Sequence, residues 1–301
     1  MLALSLLLVF VPLSSVRSAL GRVPYWVWLV ALPVYLTLHL IGIVKWRLLI
    51  NTSGAGLTFG QAARCYYYGL FGNLFLPSIV GGDVVRAGMA LKLTRSVPGL
   101  LFGSLVDRTL DIGGLALLAG IGALLLPTAL DPQSRAIFTG IALLFAVLAV
   151  ASLLVARLIP VRRLPWKLRR LIAKLRTAIR SMAGRPGSML SALLLGMLLQ
   201  GLLVVMNAWL GDIVGIHISL VVWILVWPLA KIAAVAPLTQ GGVGVREAAI
   251  VILFQPFHVG APEAMATGLI FTSVVIIGGL LSGGIAFLLG RNAAALPDKP
   301  A

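Results

Sequence analysis

The sequence predicts an all-α integral membrane protein: a polytopic helical bundle built as an inverted repeat with two re-entrant, broken-helix hairpins. Three observations carry that expectation. The 301-residue chain is 60% hydrophobic and only 11% charged, with mean hydropathy +1.08, far more apolar than a water-soluble domain. A short phrase, Pro, three residues, Gly-Gly, three residues, Arg, occurs twice, at Pro77 to Arg86 and at Pro237 to Arg246. Between the two copies, Arg157 to Arg185 holds ten basic residues and no acid.

The apolar runs reach about 20 residues, the length of a membrane-crossing helix, and no ten-residue alternation suggests a barrel. In order, Met1 to Val16 is a short first span without a basic start, and Val23 to Val44 is a second. Tyr25, Trp26 and Trp28 at one end of the second span, and Lys45, Trp46 and Arg47 at the other, read as interface anchors. From Leu57 to Ser96, a polar start at Gln61 and Arg64 and a tyrosine run at 66–68 lead into the first interruption. A basic helix from about Asp83 to Arg95, too short to cross, follows it. Pro98 to Leu126 is a span carrying Asp107, Arg108 and Asp111, and Ala136 to Leu158 is another. After the basic linker come a span at Met189 to Ile213, an apolar arm at His217 to Ala236, the second interruption, a helix at about Val243 to Phe254, and a last span at Glu263 to Leu289.

The positive-inside rule places the basic linker, 157–185, in the cytoplasm, and the apolar face between its charges suits the membrane surface. Counting crossings outward from it makes Leu57 to Ser96 and His217 to Phe257 enter and leave on one face each, from opposite sides. The single domain, 1–301, then divides into half-repeats at about 1–126 and 136–291. The alternative, in which each hairpin is a full crossing, puts Lys45 and Arg47 opposite the linker; Arg17 and Arg22 fit the hairpin arrangement poorly. The net charge of +16 points to anionic lipid rather than nucleic acid in a chain this apolar. Cys65, alone, excludes an internal disulfide, and the scattered His39, His217 and His258 suggest no metal site.

In both copies of the phrase, proline and paired glycines (Gly81-Gly82, Gly241-Gly242) are expected to break a helix and restart one just before the arginine. The alternative is a pair of ordinary loops. A new helix N-terminus carries positive potential, and an arginine within a turn of it suits a phosphate, so Arg86 and Arg246 are candidate head-group contacts. Asp107 and Asp111 share a helix face, with Arg108 able to reach Asp111. Such charges cost roughly 2.5–3.5 kcal/mol each at the bilayer centre, so partners are expected among Arg86, Arg246 and Lys231. Asp83, as a helix N-cap, and Glu247 complete the buried set. The competing reading of the two arginines is a membrane-surface position, and that of the buried charged set is a structural ion-pair network. No GxSxG, HExxH or phosphate-loop motif is present, so enzyme signals are weak.

Asn73-Leu74-Phe75-Leu76-Pro77, Gly81-Gly82-Asp83, Arg86, Asp107-Arg108 and Gly241-Gly242-Val243-Gly244-Val245-Arg246-Glu247 together resemble the lysylphosphatidylglycerol synthase transmembrane region, a flippase-like domain. The resemblance implies a multi-pass inner-membrane protein that moves or handles lipids or lipid-linked sugars, and marks Asn73, Pro77, Gly81, Gly82, Asp83, Arg86, Arg246 and Glu247. In well-known members an aminoacyl-transferase domain follows. This chain stops at Ala301, so lysyl-lipid synthesis is not expected of it. The expected activity is translocation of an anionic or aminoacylated phospholipid, or a lipid-linked head group, without a cofactor, by a transporter rather than an enzyme. A homo-oligomer is left open. The alternatives are an enzyme or accessory in polyprenyl-phosphate metabolism using Asp83 and Glu247, and a secondary transporter of a soluble anion.

Overall fold

The computed structural model describes residues 13–21, 23–76, 81–126, 184–235 and 239–294, with isolated helical positions at 136, 140, 143 and 147. The expected span at Ala136 to Leu158 and the basic linker lie almost wholly outside the described residues, as do Pro77 and Pro237. Every described element is helical: α1 (Leu13–Gly21), α2 (Trp26–Thr52), α3 (Phe59–Gly72), α4 (Gly81–Ala90), α5 (Val97–Leu125), α6 (Pro186–Ile213), α7 (Leu220–Ala233), α8 (Val245–Phe254) and α9 (Ala261–Ala294), with one 3₁₀ turn at Gln255–Phe257.

Four of these, α2, α5, α6 and α9, are long and apolar enough to cross a membrane. At 1.5 Å per residue each is about 40 Å or longer, against a hydrocarbon core of about 30 Å. Their outer faces present Leu29, Leu101, Leu105, Leu117, Leu124, Leu194, Leu198, Leu280 and Phe287, all exposed, which is the surface a lipid-embedded bundle requires. The helices α3, α4, α7 and α8, of 14, 10, 14 and 10 residues, fall short of that thickness. They sit in pairs, α3 against α4 and α7 against α8.

Local signals explain the ends. Thr58 and Gln61 form a reciprocal capping box that starts α3, the Thr58 hydroxyl accepting from the Gln61 N–H at 3.3 Å and the Gln61 carbonyl accepting from the Thr58 N–H at 3.0 Å. The Ser96 hydroxyl caps α5, with Pro98 in its first turn.

The packing is reciprocal. Helix α3 of the first half rests on α9 of the second, α7 of the second half rests on α5 of the first, and α2 packs against α6. Small residues allow the approach. Gly122 lies against the Leu225 backbone, Gly279 and Gly283 lie under Leu74 and Phe71, and Gly103 lies on Ile50.

Three expectations need correction. Lys45 and Trp46 are not interface anchors: α2 continues unbroken to Thr52, so both lie inside the bundle, at 2% and 0% exposure. The charge count that placed this end of α2 on the cytoplasmic side therefore loses Lys45. In the first interruption the chain is already helical at Gly81, earlier than just before Arg86, and α4 ends at Ala90 rather than Arg95. Asp83 is consequently inside the first turn of α4 and is not its N-cap.

Candidate functional site

The charged side chains of the bundle collect where the short helices meet the long ones. Arg86 on α4 donates from one terminal nitrogen to Asp83 Oδ1 and to Asp107 Oδ2, both at 2.9 Å. Lys45 on α2 reaches Asp107 Oδ1 at 2.9 Å and Asp111 Oδ1 at 2.5 Å, so the two aspartates do share a face of α5, as their spacing predicts. Arg108 does not turn to Asp111. It approaches Asp83 Oδ2 at 3.4 Å instead. Three cations, Lys45, Arg86 and Arg108, thus face three carboxylates, Asp83, Asp107 and Asp111, and this cluster is formally neutral. Neutrality is what makes it tolerable at membrane depth, where an unpaired charge is costly.

A second, smaller cluster surrounds Arg246. Its guanidinium donates to Glu247 Oε1 at 2.8 and 3.2 Å and to the Thr272 hydroxyl, which itself donates to the same carboxylate oxygen at 2.6 Å. The other oxygen, Glu247 Oε2, accepts from the Gly244 N–H at 2.5 Å and so caps α8. Glu247 is fully buried. Both arginines also lie on aromatic rings. Arg86 Cζ is 4.7 Å from the Trp46 ring centre and 5.1 Å from that of Tyr66; Arg246 Cζ is 4.8 Å from Phe271 and 5.7 Å from Trp227.

The two interruptions touch. The Gly241 N–H donates to the Leu76 carbonyl at 3.2 Å, and Gly241 lies directly over the Asn73 carbonyl. Asn73 ties the first interruption to its own helix, its side-chain oxygen accepting from the Gly82 N–H at 2.6 Å. Gly81 lies under Leu76, and Gly82 faces the Gly69 carbonyl so closely that neither position has room for a Cβ. Gly241 and Gly242 hold φ of +58° and +74°, and the Gly242 carbonyl accepts from the Arg246 N–H in the opening turn of α8.

Two cavities open onto this junction. A charged one of about 100 Å³ is lined by Lys45, Asp83, Arg86, Asp107, Arg108 and Asp111. An apolar one of about 340 Å³ is lined by Tyr35, Leu74, Val243, Phe271, Val275 and Ile276, with Arg246 and Gly241 in its wall. His39, Leu70, Asn73, Leu203 and Lys231 line both, and the region they share is the neck. Lys231 Nζ donates to Gln200 Oε1 at 2.7 Å and has no carboxylate within ion-pair distance among the described residues.

Residues 1–283 match the family described as Lysylphosphatidylglycerol synthase TM region. The chain belongs to this family. No curated protein and no solved structure matches it significantly. The fold is that of a multi-pass membrane protein of the family, and the paired motifs that suggested membership are the segments that meet at the junction. Residues that the motifs did not reveal also stand at this junction: Lys45, His39, Gln200 and Thr272. For Lys45 a signal existed, because no glycine or proline follows it before Thr52, which places it about two turns inside the helix end.

Proposed function

We propose that the protein is a lipid translocase of the cell's inner membrane, moving an anionic or aminoacylated phospholipid, or a lipid-linked head group, between leaflets. The single observation that carries this reading is the pairing of a charged cavity with an apolar one through a shared neck. A lipid presents that same pairing of head group and acyl chain. On this reading the head group meets Arg86 in the charged cavity, Lys231 at the neck and Arg246 in the apolar cavity, while the carboxylates of Asp83, Asp107 and Glu247 hold the arginines in place when no lipid is bound. The Asn73 and Gly81-Gly82 segment and the Gly241-Gly242 segment form the two sides of the passage.

The reciprocal packing of the two halves supports the second part of the proposal. The chain is one domain, 1–301, made of half-repeats at about 1–126 and 136–291, inserted with opposite orientation, each carrying a re-entrant hairpin. Rocking of one half against the other gives alternating access. Broken helices at membrane depth are tolerated where they line such a cavity.

The test is movement of fluorescent phosphatidylglycerol in proteoliposomes, read by quenching of the outer leaflet. Wild-type protein should accelerate exchange over protein-free vesicles, and Leu70→Trp, which fills the neck from α3, should abolish the gain. Equal rates in protein-free vesicles, wild type and Leu70→Trp count against translocation.

A further inference from the structure

We propose that the neck between the cavities is a phosphodiester-binding site made by His39 and Lys231, separate from the two arginine clusters. It deepens the translocase reading and rests on it only for the source of the phosphate, a membrane lipid.

Among the cations of the junction, Lys231 stands apart. Arg86, Lys45, Arg108 and Arg246 each face at least one carboxylate at 3.4 Å or less. Among the described residues Lys231 has only the neutral amide of Gln200. An ammonium carries three N–H donors, so two remain for another acceptor. The two clusters are neutral, and Lys231 therefore supplies the unmatched positive charge where the cavities join.

His39 lines the same two cavities and has an unpaired ring nitrogen. Its Nδ1 lies 3.2 Å from the Tyr66 hydroxyl, and its Nε2 has no hydrogen-bond partner among the described residues, although the residue is only 9% exposed. The Tyr66 hydroxyl has no other hydrogen bond among those described; with the hydroxyl as donor to Nδ1, the arrangement that leaves fewest groups unpaired, the ring proton lies on Nε2. A buried donor left without an acceptor is costly, and such orphans in native proteins call for an explanation. A ligand oxygen supplies one.

A phosphodiester fits the pair. It offers two unesterified oxygens on one charged centre, one for Lys231 Nζ and one for His39 Nε2, and its two ester arms leave in different directions. One arm suits the apolar cavity toward Phe271, Val275 and Ile276, as an acyl-bearing glycerol does. The other suits the charged cavity, as a polar head group does. A soluble phosphate shares the charge but has nothing for the apolar side.

The measurement is equilibrium binding of palmitoyl-oleoyl phosphatidylglycerol to the full chain in maltoside micelles, followed by native mass spectrometry, with dioleoylglycerol and inorganic phosphate as comparison probes. Wild type should hold one tightly bound phosphatidylglycerol. Lys231→Met and His39→Phe should each weaken it about tenfold or more, since each removes one hydrogen bond to a charged group, while Lys231→Arg should stay near wild type. Dioleoylglycerol should not compete, and neither should inorganic phosphate at equal concentration. Should Lys231→Met fail to fold, His39→Phe and Lys231→Arg still decide the matter. Unchanged affinity in the folded variants, or displacement of the lipid by inorganic phosphate at equal concentration, overturns the site. Binding is read without movement, so a failed translocation assay and a failed binding assay are separate outcomes.

Discussion

In the first interruption Gly81 and Gly82 are already helical, and their value is the missing Cβ, because Leu76, the Gly69 carbonyl and Asn73 occupy the space. In the second, Gly241, Gly242 and Gly244 all take positive φ, and their value is backbone freedom. The arginines differ in the same sense. Arg246 is held by its own neighbour Glu247, with Thr272 of α9 completing the arrangement. Arg86 is held by Asp83 of its own helix and Asp107 of α5, and Asp107 is shared with Lys45 of α2. One written phrase therefore encodes a locally closed unit in the second half and a tertiary hub in the first. A short motif fixes where a chain breaks; the surrounding helices decide what holds the break together.

The two interruptions should differ most at their acids. Glu247→Ala strands a buried guanidinium and frees the Gly244 N–H, for which we expect a loss of about 3–5 kcal/mol. Asp83→Ala leaves Arg86 with Asp107, and the Asp83 side chain is 26% exposed, so about 1 kcal/mol is expected. Thermal unfolding in detergent compares the two. Equal losses would mean that the hub is no more redundant than the local unit.

The glycines should differ by a smaller effect. Asparagine tolerates the left-handed region, so Gly242→Asn should cost about 1 kcal/mol or less. At Gly82 any side chain meets the Gly69 carbonyl, and Gly82→Asn should cost about 2 kcal/mol or more through overpacking. Unfolding midpoints of the two variants supply the order, and a reversed order contradicts the different uses of glycine.

This contrast also separates what the sequence discloses from what it does not. The long helices α5, α6 and α9 follow from apolar length alone, within a few residues, because a bilayer imposes that length. The second interruption follows from its glycines, since positive φ is a local demand that glycine meets. Lys45 is only half legible: the unbroken run to Thr52 places it inside the helix, but not its partners. In Lys45-Trp46-Arg47 a buried cation and an interfacial one have the same letters, and only the arrival of α5 with Asp107 and Asp111 distinguishes them. The pairing of Arg108 with Asp83 instead of Asp111 is tertiary in the same way. His39 is less legible still, as a lone histidine in an apolar span gives no hint of what its free nitrogen faces.

The smallest effect belongs to the outer layer of the hub. Arg108 and Asp83 have side chains 21% and 26% exposed and approach only to 3.4 Å, longer than a charge-assisted hydrogen bond. Partly exposed pairs of this kind contribute about 1 kcal/mol or less, so Arg108→Gln should shift the unfolding midpoint little. Asp83 retains Arg86 at 2.9 Å in that variant, which keeps the acid from being stranded. The second interruption has no such outer layer, because the described partners of Arg246 are all buried. An Arg108→Gln loss comparable with that of Glu247→Ala would therefore show the first cluster to be a single indivisible network, in which the outermost contact holds up the innermost one.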